Sequence, residues 1–320
     1  GYAEGEYRQR LKAALEGVSD ENDLGERLRR FRRLEMVRIA WRDLAGDAEL
    51  GEVTADLSAL AETCIDGALV HLYDWQCEQR GIPYGSEDTP QRLVVLGMGK
   101  LGAWELNFSS DVDLIFAYPE EGETRGGRRR ISNQEFFVRL GQRLINALDR
   151  STAEGFVFRV DMRLRPFGGS SSLALSFDAM EAYYQAHGRE WERYAMIKAR
   201  PVAGDLQAGN ELMAMLKPFV FRRYVDYGAF ESLRDMKVMI EREVKRKGLE
   251  NNVKLGAGGI REVEFIGQAF QLIRGGREPT LQRRSILTVL EALRGFQLLP
   301  DFAVEELVAA YALLRKTEHR

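Results

Sequence analysis

Gly97-Met-Gly-Lys-Leu-Gly-Ala-Trp-Glu-Leu-Asn-Phe-Ser-Ser-Asp-Val-Asp-Leu-Ile-Phe116 couples a glycine turn to a pair of carboxylates, and the run Leu93-Val-Val-Leu96 leads into it. The first apolar run predicts a buried strand, Gly97 and Gly99 a turn, and the run opened by Asp111-x-Asp113 a second strand. Residues i and i+2 of a strand share a face, so the two carboxylates are expected to project together, with Cα atoms roughly 6.5–7 Å apart. Backbone amides of a glycine turn suit phosphate oxygens, and paired carboxylates supply the hard oxygen ligands that magnesium prefers. Together they point to phosphoryl-group chemistry on a nucleotide.

Gly97-x-Gly99-x-x-Gly102 also fits a dinucleotide fingerprint, which requires a crossover helix and an acid about twenty residues on. Here the chain runs through Asn107-Phe-Ser-Ser110 straight into Asp-x-Asp, so that reading lacks its helix. Two acids beside a Val-Leu-Ile-Phe run repel one another unless a cation neutralises them. A third carboxylate, Asp161, follows Phe156-Val-Phe-Arg-Val160, a segment that reads as a short strand. Two-metal phosphoryl transfer holds its cations about 3.5–4 Å apart and calls for such a set. Asp111, Asp113 and Asp161 are therefore the candidate catalytic and metal-binding residues. Arg163 and Arg165, on one face if extended, are candidates to grip a phosphate through planar guanidinium groups, with a surface charge pair with Asp161 as the alternative. Gly97, Gly99, Ser109 and Ser110 form the candidate phosphate cradle, with Lys100 in reach. Lys198 and Arg200, expected on a helix after Trp191, are further nucleotide-binding candidates, each with a structural ion pair as the alternative.

Periodicity organises the remainder. Leu24, Leu28, Phe31 and Leu34 predict one face of an arginine-rich helix, and Leu57, Leu60, Ala61, Cys64, Ile65, Ala68 and Leu72 a second. Gly81-Ile-Pro-Tyr-Gly-Ser86 breaks the pattern. Ser132-Asn-Gln-Glu135 reads as a capping box opening a helix with Phe137, Leu140, Leu144 and Leu148 inward. Helical signals resume from about Ser176, with long helices expected within Leu212–Lys247 and Leu287–Arg320, and another from Gly258-Gly259 to Gly275-Gly276. The expected architecture is α+β and predominantly helical: an N-terminal helical segment over 1–85, a mixed-sheet core over 86–205 and a C-terminal helical bundle over 206–320.

Lys and Arg number 46 against 49 Asp and Glu, a net charge of −3 that makes a poor counterion-release surface for long nucleic acids. Arg125-Gly-Gly-Arg-Arg-Arg130 reads as a solvated loop. The two cysteines, Cys64 and Cys77, match neither a zinc site nor a disulfide framework, and Cys64 reads as core packing in a reducing cytoplasm. No apolar run reaches membrane length and no signal peptide opens the chain. A first residue of Gly and a last segment that stops mid-helix are the marks expected of a piece of a longer protein. The three histidines fall outside the glycine–carboxylate constellation, so a histidine base is not expected.

The strings Gly97–Phe116, Arg159–Gly168, Gly188-Arg-Glu-Trp-Glu-Arg-Tyr-Ala-Met-Ile-Lys-Ala-Arg200, Pro218-Phe-Val-Phe-Arg-Arg-Tyr224 and Lys254-Leu-Gly-Ala-Gly-Gly-Ile-Arg-Glu-Val-Glu-Phe265 resemble the glutamine synthetase adenylyltransferases. These are bifunctional bacterial enzymes with two nucleotidyltransferase-like halves. The resemblance spans nearly the whole chain and is greater to the N-terminal, adenylyl-removing half. It implies a polymerase-β-like nucleotidyltransferase core, two Mg2+ or Mn2+ ions, and inorganic phosphate as co-substrate. It further implies adenylylated glutamine synthetase, a PII signal protein and ADP or ATP as partners, with neither polynucleotide nor membrane, in the bacterial cytoplasm. The implied reaction is phosphorolysis of adenylyl-tyrosine to ADP and free tyrosine. The core motifs alone equally serve the reverse transfer, and a regulatory module of the same fold is a third reading.

Overall fold

The computed structural model describes residues 2–3, 5–223 and 227–319; Tyr224 of the fourth string lies outside them, as does the final Arg320. The chain is an α+β protein, predominantly helical with a small mixed sheet. It divides into two compact units, one running to Tyr183 and resuming over Ala199–Ala214, the other comprising Tyr184–Lys198 and the chain from Met215 onward.

The first unit opens with α1 (Glu6–Ala14), α2 (Glu21–Ala45) and α3 (Leu50–Arg80). Asp20 caps α2 by accepting from the amides of Asn22 and Asp23 at 2.8 and 3.0 Å, which satisfies donors that a helix start leaves orphaned. Gly46 ends it in the left-handed region. Leu24, Leu28 and Phe31 are buried with Cys64 and the α3 stripe, but Leu34 is 62% exposed and does not belong to that face. The buried face instead continues through Glu35 and Ile39. Glu35 tolerates burial because Arg10 and Arg38 donate to its two oxygens at 3.0 and 2.8 Å. Leu34 is turned out with Val37, Trp41 and Leu44, the last two 73% and 86% exposed. Cys64 packs in this core, and burial pushes its thiol pKa up to about 12.

From α3 the chain forms β1 (Gly81–Tyr84), β2 (Val94–Gly97), the single helical turn α4 (Gly99–Gly102), β3 (Val112–Tyr118) and β4 (Glu123–Gly126). Next come α5 (Asn133–Asp149), β5 (Val160–Asp161), β6 (Ala174–Ser176), α6 (Phe177–Ala186), α7 (Glu190–Met196) and β7 (Arg200–Gly204). β1 and β4 make a separate antiparallel ribbon. The main sheet runs β5-β3-β2-β7, with β6 also paired to β3. β2 lies antiparallel to β3 and to β7, whereas β5 and β6 are parallel to β3. An antiparallel β2–β3 pair excludes the dinucleotide-binding βαβ unit, whose strands are parallel. The Ser132 hydroxyl accepts from the Glu135 amide at 3.1 Å to cap α5, and Phe137, Leu140, Leu144 and Leu148 enter the core. The Phe137 ring stacks on Tyr118 of β3 at 4.9 Å.

The division between units falls within α6 and within α8 (Leu206–Val220). The second unit also contains α9 (Tyr227–Arg246), α10 (Ile260–Arg274), α11 (Ile286–Gly295) and α12 (Asp301–His319). Ile260, Val263, Val289, Leu290, Leu293, Val304 and Tyr311 form its core. Arg193 of α7 is buried and donates to the carbonyls of Phe219 and Val220 at 3.0 and 3.1 Å, at the last turn of α8. Among the described residues no helix is long and apolar enough to cross a membrane.

The two faces of α2 respond differently to truncation. Leu28→Ala is expected to cost about 2–5 kcal/mol, as a buried leucine does. Leu34→Ser should change stability by less than about 0.5 kcal/mol, as at an exposed position. Urea unfolding of the two variants measures both; equal losses would return Leu34 to the core.

Candidate functional site

The carboxylates gather at one edge of the main sheet. Val112 and Asp113 of β3 stand in parallel register with Val160 and Asp161 of β5. Side chains in register on neighbouring strands share a face, with strands about 4.8 Å apart, so Asp113 and Asp161 are side by side. Asp111 lies one residue before β3 rather than within it, and is exposed. Arg163 feels all three groups: its pKa is raised first by its hydrogen bonds to Asp161, then by the charges of Asp161, Asp113 and Asp111.

The segment Phe156–Val160 is not the strand its composition suggests; β5 holds only Val160 and Asp161. The amides of Val157 and Phe158 both donate to the Leu148 carbonyl at 2.9 and 3.0 Å, so these backbone groups are satisfied by the end of α5 instead of by a ladder. Only then does the chain reach β3, where the Val112 amide donates to the Arg159 carbonyl at 2.9 Å.

The glycine turn contributes in two ways. At Gly97 an added Cβ would fall 2.6 Å from Val202 Cγ1, so this glycine admits the packing of β7. Gly99 has φ +52°, and its Cβ would lie 3.0 Å from Asp113 Oδ2. The turn backbone thus approaches the carboxylate closely and keeps its neighbourhood clear. Lys100 follows on α4, half-buried. Ser109 presents its carbonyl to Arg159 Nη2 at 2.6 Å, and the Ser110 hydroxyl accepts from the Asn107 amide at 3.1 Å.

Arginines hold two of the three carboxylates. Arg159 Nε donates to Asp111 Oδ1. Arg163 engages both oxygens of Asp161, while its backbone amide donates to Oδ1 at 2.8 Å. This pairing holds the Asp161 carboxyl below its ordinary pKa. Among the described residues no group of three or more His, Cys, Asp or Glu side chains is arranged to hold a metal ion. The donor chemistry nevertheless fits a hard divalent cation: two carboxylates in register, and beside Asp113 the space that a Cβ at Gly99 would fill. Arg165 is turned to its own loop, Nη1 donating to the Met162 carbonyl at 2.8 Å.

Lys198 and Arg200 have structural partners. Neither is on the helix after Trp191: α7 ends at Met196, Lys198 is in a turn and Arg200 begins β7. Lys198 Nζ pairs with Glu264 of α10 at 2.6 Å, within the second unit. Arg200, in the first, pairs with Glu62 of α3. It also donates to the Gly102 and Leu101 carbonyls, each at 3.1 Å, and its guanidinium lies 3.7 Å over the Trp104 ring. Sequence reasoning passed over Arg159, although its place two residues before Asp161 on an extended segment was the available signal. It passed over Glu62 and Trp104 as well, and nothing local marks those two.

A family model for glutamate–ammonia ligase adenylyltransferase matches residues 3–215, and one for GlnD PII-uridylyltransferase matches residues 234–320. The chain is 62% identical over 320 residues to a protein of Nitrosococcus oceani named bifunctional glutamine synthetase adenylyltransferase/adenylyl-removing enzyme. It is 61% identical over 319 residues to the protein of that name from Pseudomonas aeruginosa, and 59% over 315 residues to that from Thioalkalivibrio sulfidiphilus. These alignments cover 98–100% of the chain but 32–33% of the relatives, so it spans about a third of their length.

Gly99→Ala should destabilise the first unit by about 1–2 kcal/mol, the cost of a side chain in the left-handed region, and should also disturb Asp113. Gly126→Ala has a comparable positive φ but open space around the Cβ. Denaturant melts of both variants, read beside the Asp113 carboxyl 13C shift, separate the two effects. Only Gly99→Ala is expected to move that shift.

Proposed function

The chain belongs to the glutamate–ammonia ligase adenylyltransferase family, and on that premise we propose that it removes the adenylyl group from adenylyl-tyrosine of glutamine synthetase by phosphorolysis. An oxygen of inorganic phosphate bonds to the adenylyl phosphorus, the bond from phosphorus to the tyrosine oxygen breaks, and the tyrosinate takes up a proton. The products are ADP and unmodified glutamine synthetase. The observation that carries this reading is the register pair Asp113 and Asp161 beside the Gly99 turn, in a chain 62% identical to a protein named for both adenylyl transfer and adenylyl removal.

In this reading residues 86–205 contain a nucleotidyltransferase core. Asp113 and Asp161, with Asp111, hold Mg2+ or Mn2+, two ions for a three-carboxylate set. The cations supply charge neutralisation between two anions and a Lewis acid for the leaving oxygen. The backbone of the Gly97–Gly99 turn, with Lys100, Ser109 and Ser110, lies along the phosphates, Arg163 adds positive charge there, and Arg165 joins it only by leaving the Met162 carbonyl. No histidine base is needed, because the attacking phosphate is already anionic at neutral pH. Lys198 and Arg200 serve as scaffold through their ion pairs. The cellular setting that goes with this activity is the bacterial cytoplasm, with control by a PII signal protein.

The second reading, ATP-dependent adenylylation of the same tyrosine, has the double name of the relatives in its favour. The resemblance to the N-terminal half favours removal. The test is incubation of the chain with adenylylated glutamine synthetase, with and without phosphate. ADP is expected only with phosphate, and Asp113→Asn or Asp161→Asn should lower its release at least about 100-fold, the scale on which charge stabilisation operates. Release of AMP would replace phosphorolysis by hydrolysis, and incorporation from ATP would favour the second reading.

A further inference from the structure

Two of the three carboxylates that would hold a divalent cation are already engaged by cationic side chains of the chain itself. Asp111 is held by Arg159 and Asp161 by Arg163, and both guanidinium groups reach into solvent, Arg163 with 87% of its side chain exposed. We propose that Arg159 and Arg163 are resident counter-ions of the carboxylate edge, neutralising Asp111 and Asp161 until a divalent cation displaces them. The inference rests on the metal-site reading given above and adds to it an exchange: guanidinium out as the cation enters, so that the freed arginines face incoming phosphate.

Three observations carry the exchange. Asp161 does not depend on the Arg163 guanidinium for its orientation, because the Arg163 backbone amide donates to Oδ1 at 2.8 Å and stays when the side chain leaves. Arg159 has a second anchor: Nη2 donates to the Ser109 carbonyl at 2.6 Å and the guanidinium lies 5.5 Å over the Phe156 ring. Losing Asp111 therefore leaves Arg159 at the site. Arg32 lies over that same ring at 5.5 Å, and two cations on one ring repel each other. Burial chiefly, with Arg159 adding to it, lowers the Arg32 pKa. The arrangement keeps Arg159 directed to the carboxylate edge and away from α2.

The Arg159–Asp111 pair is exposed on both sides and weak, the Arg163 guanidinium meets the half-buried Asp161 from solvent, and a dication near two carboxylates gains more than a single guanidinium does. The two arginines should therefore act as competitors of the cation. Titration of Mn2+ into the 320-residue chain, with free Mn2+ read by electron paramagnetic resonance, tests this without any turnover. Arg159→Gln and Arg163→Gln should each bind Mn2+ about three- to tenfold more tightly than the wild type. Arg159→Lys, which keeps the charge but loses the fork, should fall between. Unchanged or weakened binding in both glutamine variants would overturn the inference, since residues that merely support the site would weaken it when lost.

Asp113→Asn in the same titration isolates the underlying reading. If it binds Mn2+ as the wild type does, or if the wild type binds none, the metal-site reading fails and the exchange fails with it. If Asp113→Asn abolishes binding and the arginine variants bind no better, only the exchange fails. A measurement on the wild type alone covers variants that fold poorly: the side-chain Nε–H resonances of Arg159 and Arg163 should move towards solvent values on adding Mg2+. Resonances that stay unmoved at saturating Mg2+ would overturn the proposal.

Discussion

Two like charges held in register on adjacent strands are the constraint to which the first unit is built. Asp113 and Asp161 sit on β3 and β5 at the level where the two strands pair, and a parallel ladder of two residues offers little hydrogen bonding to oppose their repulsion. An unopposed pair of this kind would disfavour the state in which both acids are ionised. The chain meets the problem from both sides. It supplies guanidinium groups at the edge, and it anchors β5 from behind, where the amides of Val157 and Phe158 are fixed to the last turn of α5.

The glycine turn is tied to the same edge through a longer route. Arg200 is buried at the start of β7 and donates to the Leu101 and Gly102 carbonyls at the end of α4. Its charge is balanced by Glu62 of α3 and covered by Trp104. Because α4 is a single turn, fixing its last residues also fixes Gly99 at its first, and Gly99 lies against Asp113. The helical layer thereby sets the position of the turn relative to the carboxylate. An arginine of β7 thus contributes to the geometry of the turn beside the carboxylate.

Much of this was legible in the sequence, and the failures have physical causes. The strand before Gly97, the turn at Gly99, the strand through Phe116 and the capped α5 follow from local signals: an apolar run, a residue free to take positive φ, and a serine three residues ahead of a glutamate. Leu34 was misread because hydrophobicity cannot reveal that Glu35, one position on, finds two arginines in the fold and takes the buried place. Phe156–Val160 was misread as a strand because its aromatic and β-branched composition suits a sheet, while its amides go to α5. The α+β class survived both errors, since each concerns one face or one end of an element.

At the arginines sequence reading leaves two alternatives open, a ligand role or an ion pair, and burial explains why. Arg163, Arg193 and Arg200 each lie in a motif-rich string, and each is within two residues of an acid or of another basic residue. Arg193 and Arg200 are buried and donate to main-chain carbonyls as well as to Glu190 and Glu62, and removing either side chain strands acceptors in a low-dielectric interior. Arg163 is exposed and spends its donors on a carboxylate. A buried guanidinium surrounded by carbonyls cannot leave without large cost, whereas one in solvent paired to an acid can exchange for another cation at little cost. Residue type is the same in both settings. What each guanidinium is free to bind is set by exposure and by the partner, and both are properties of the fold.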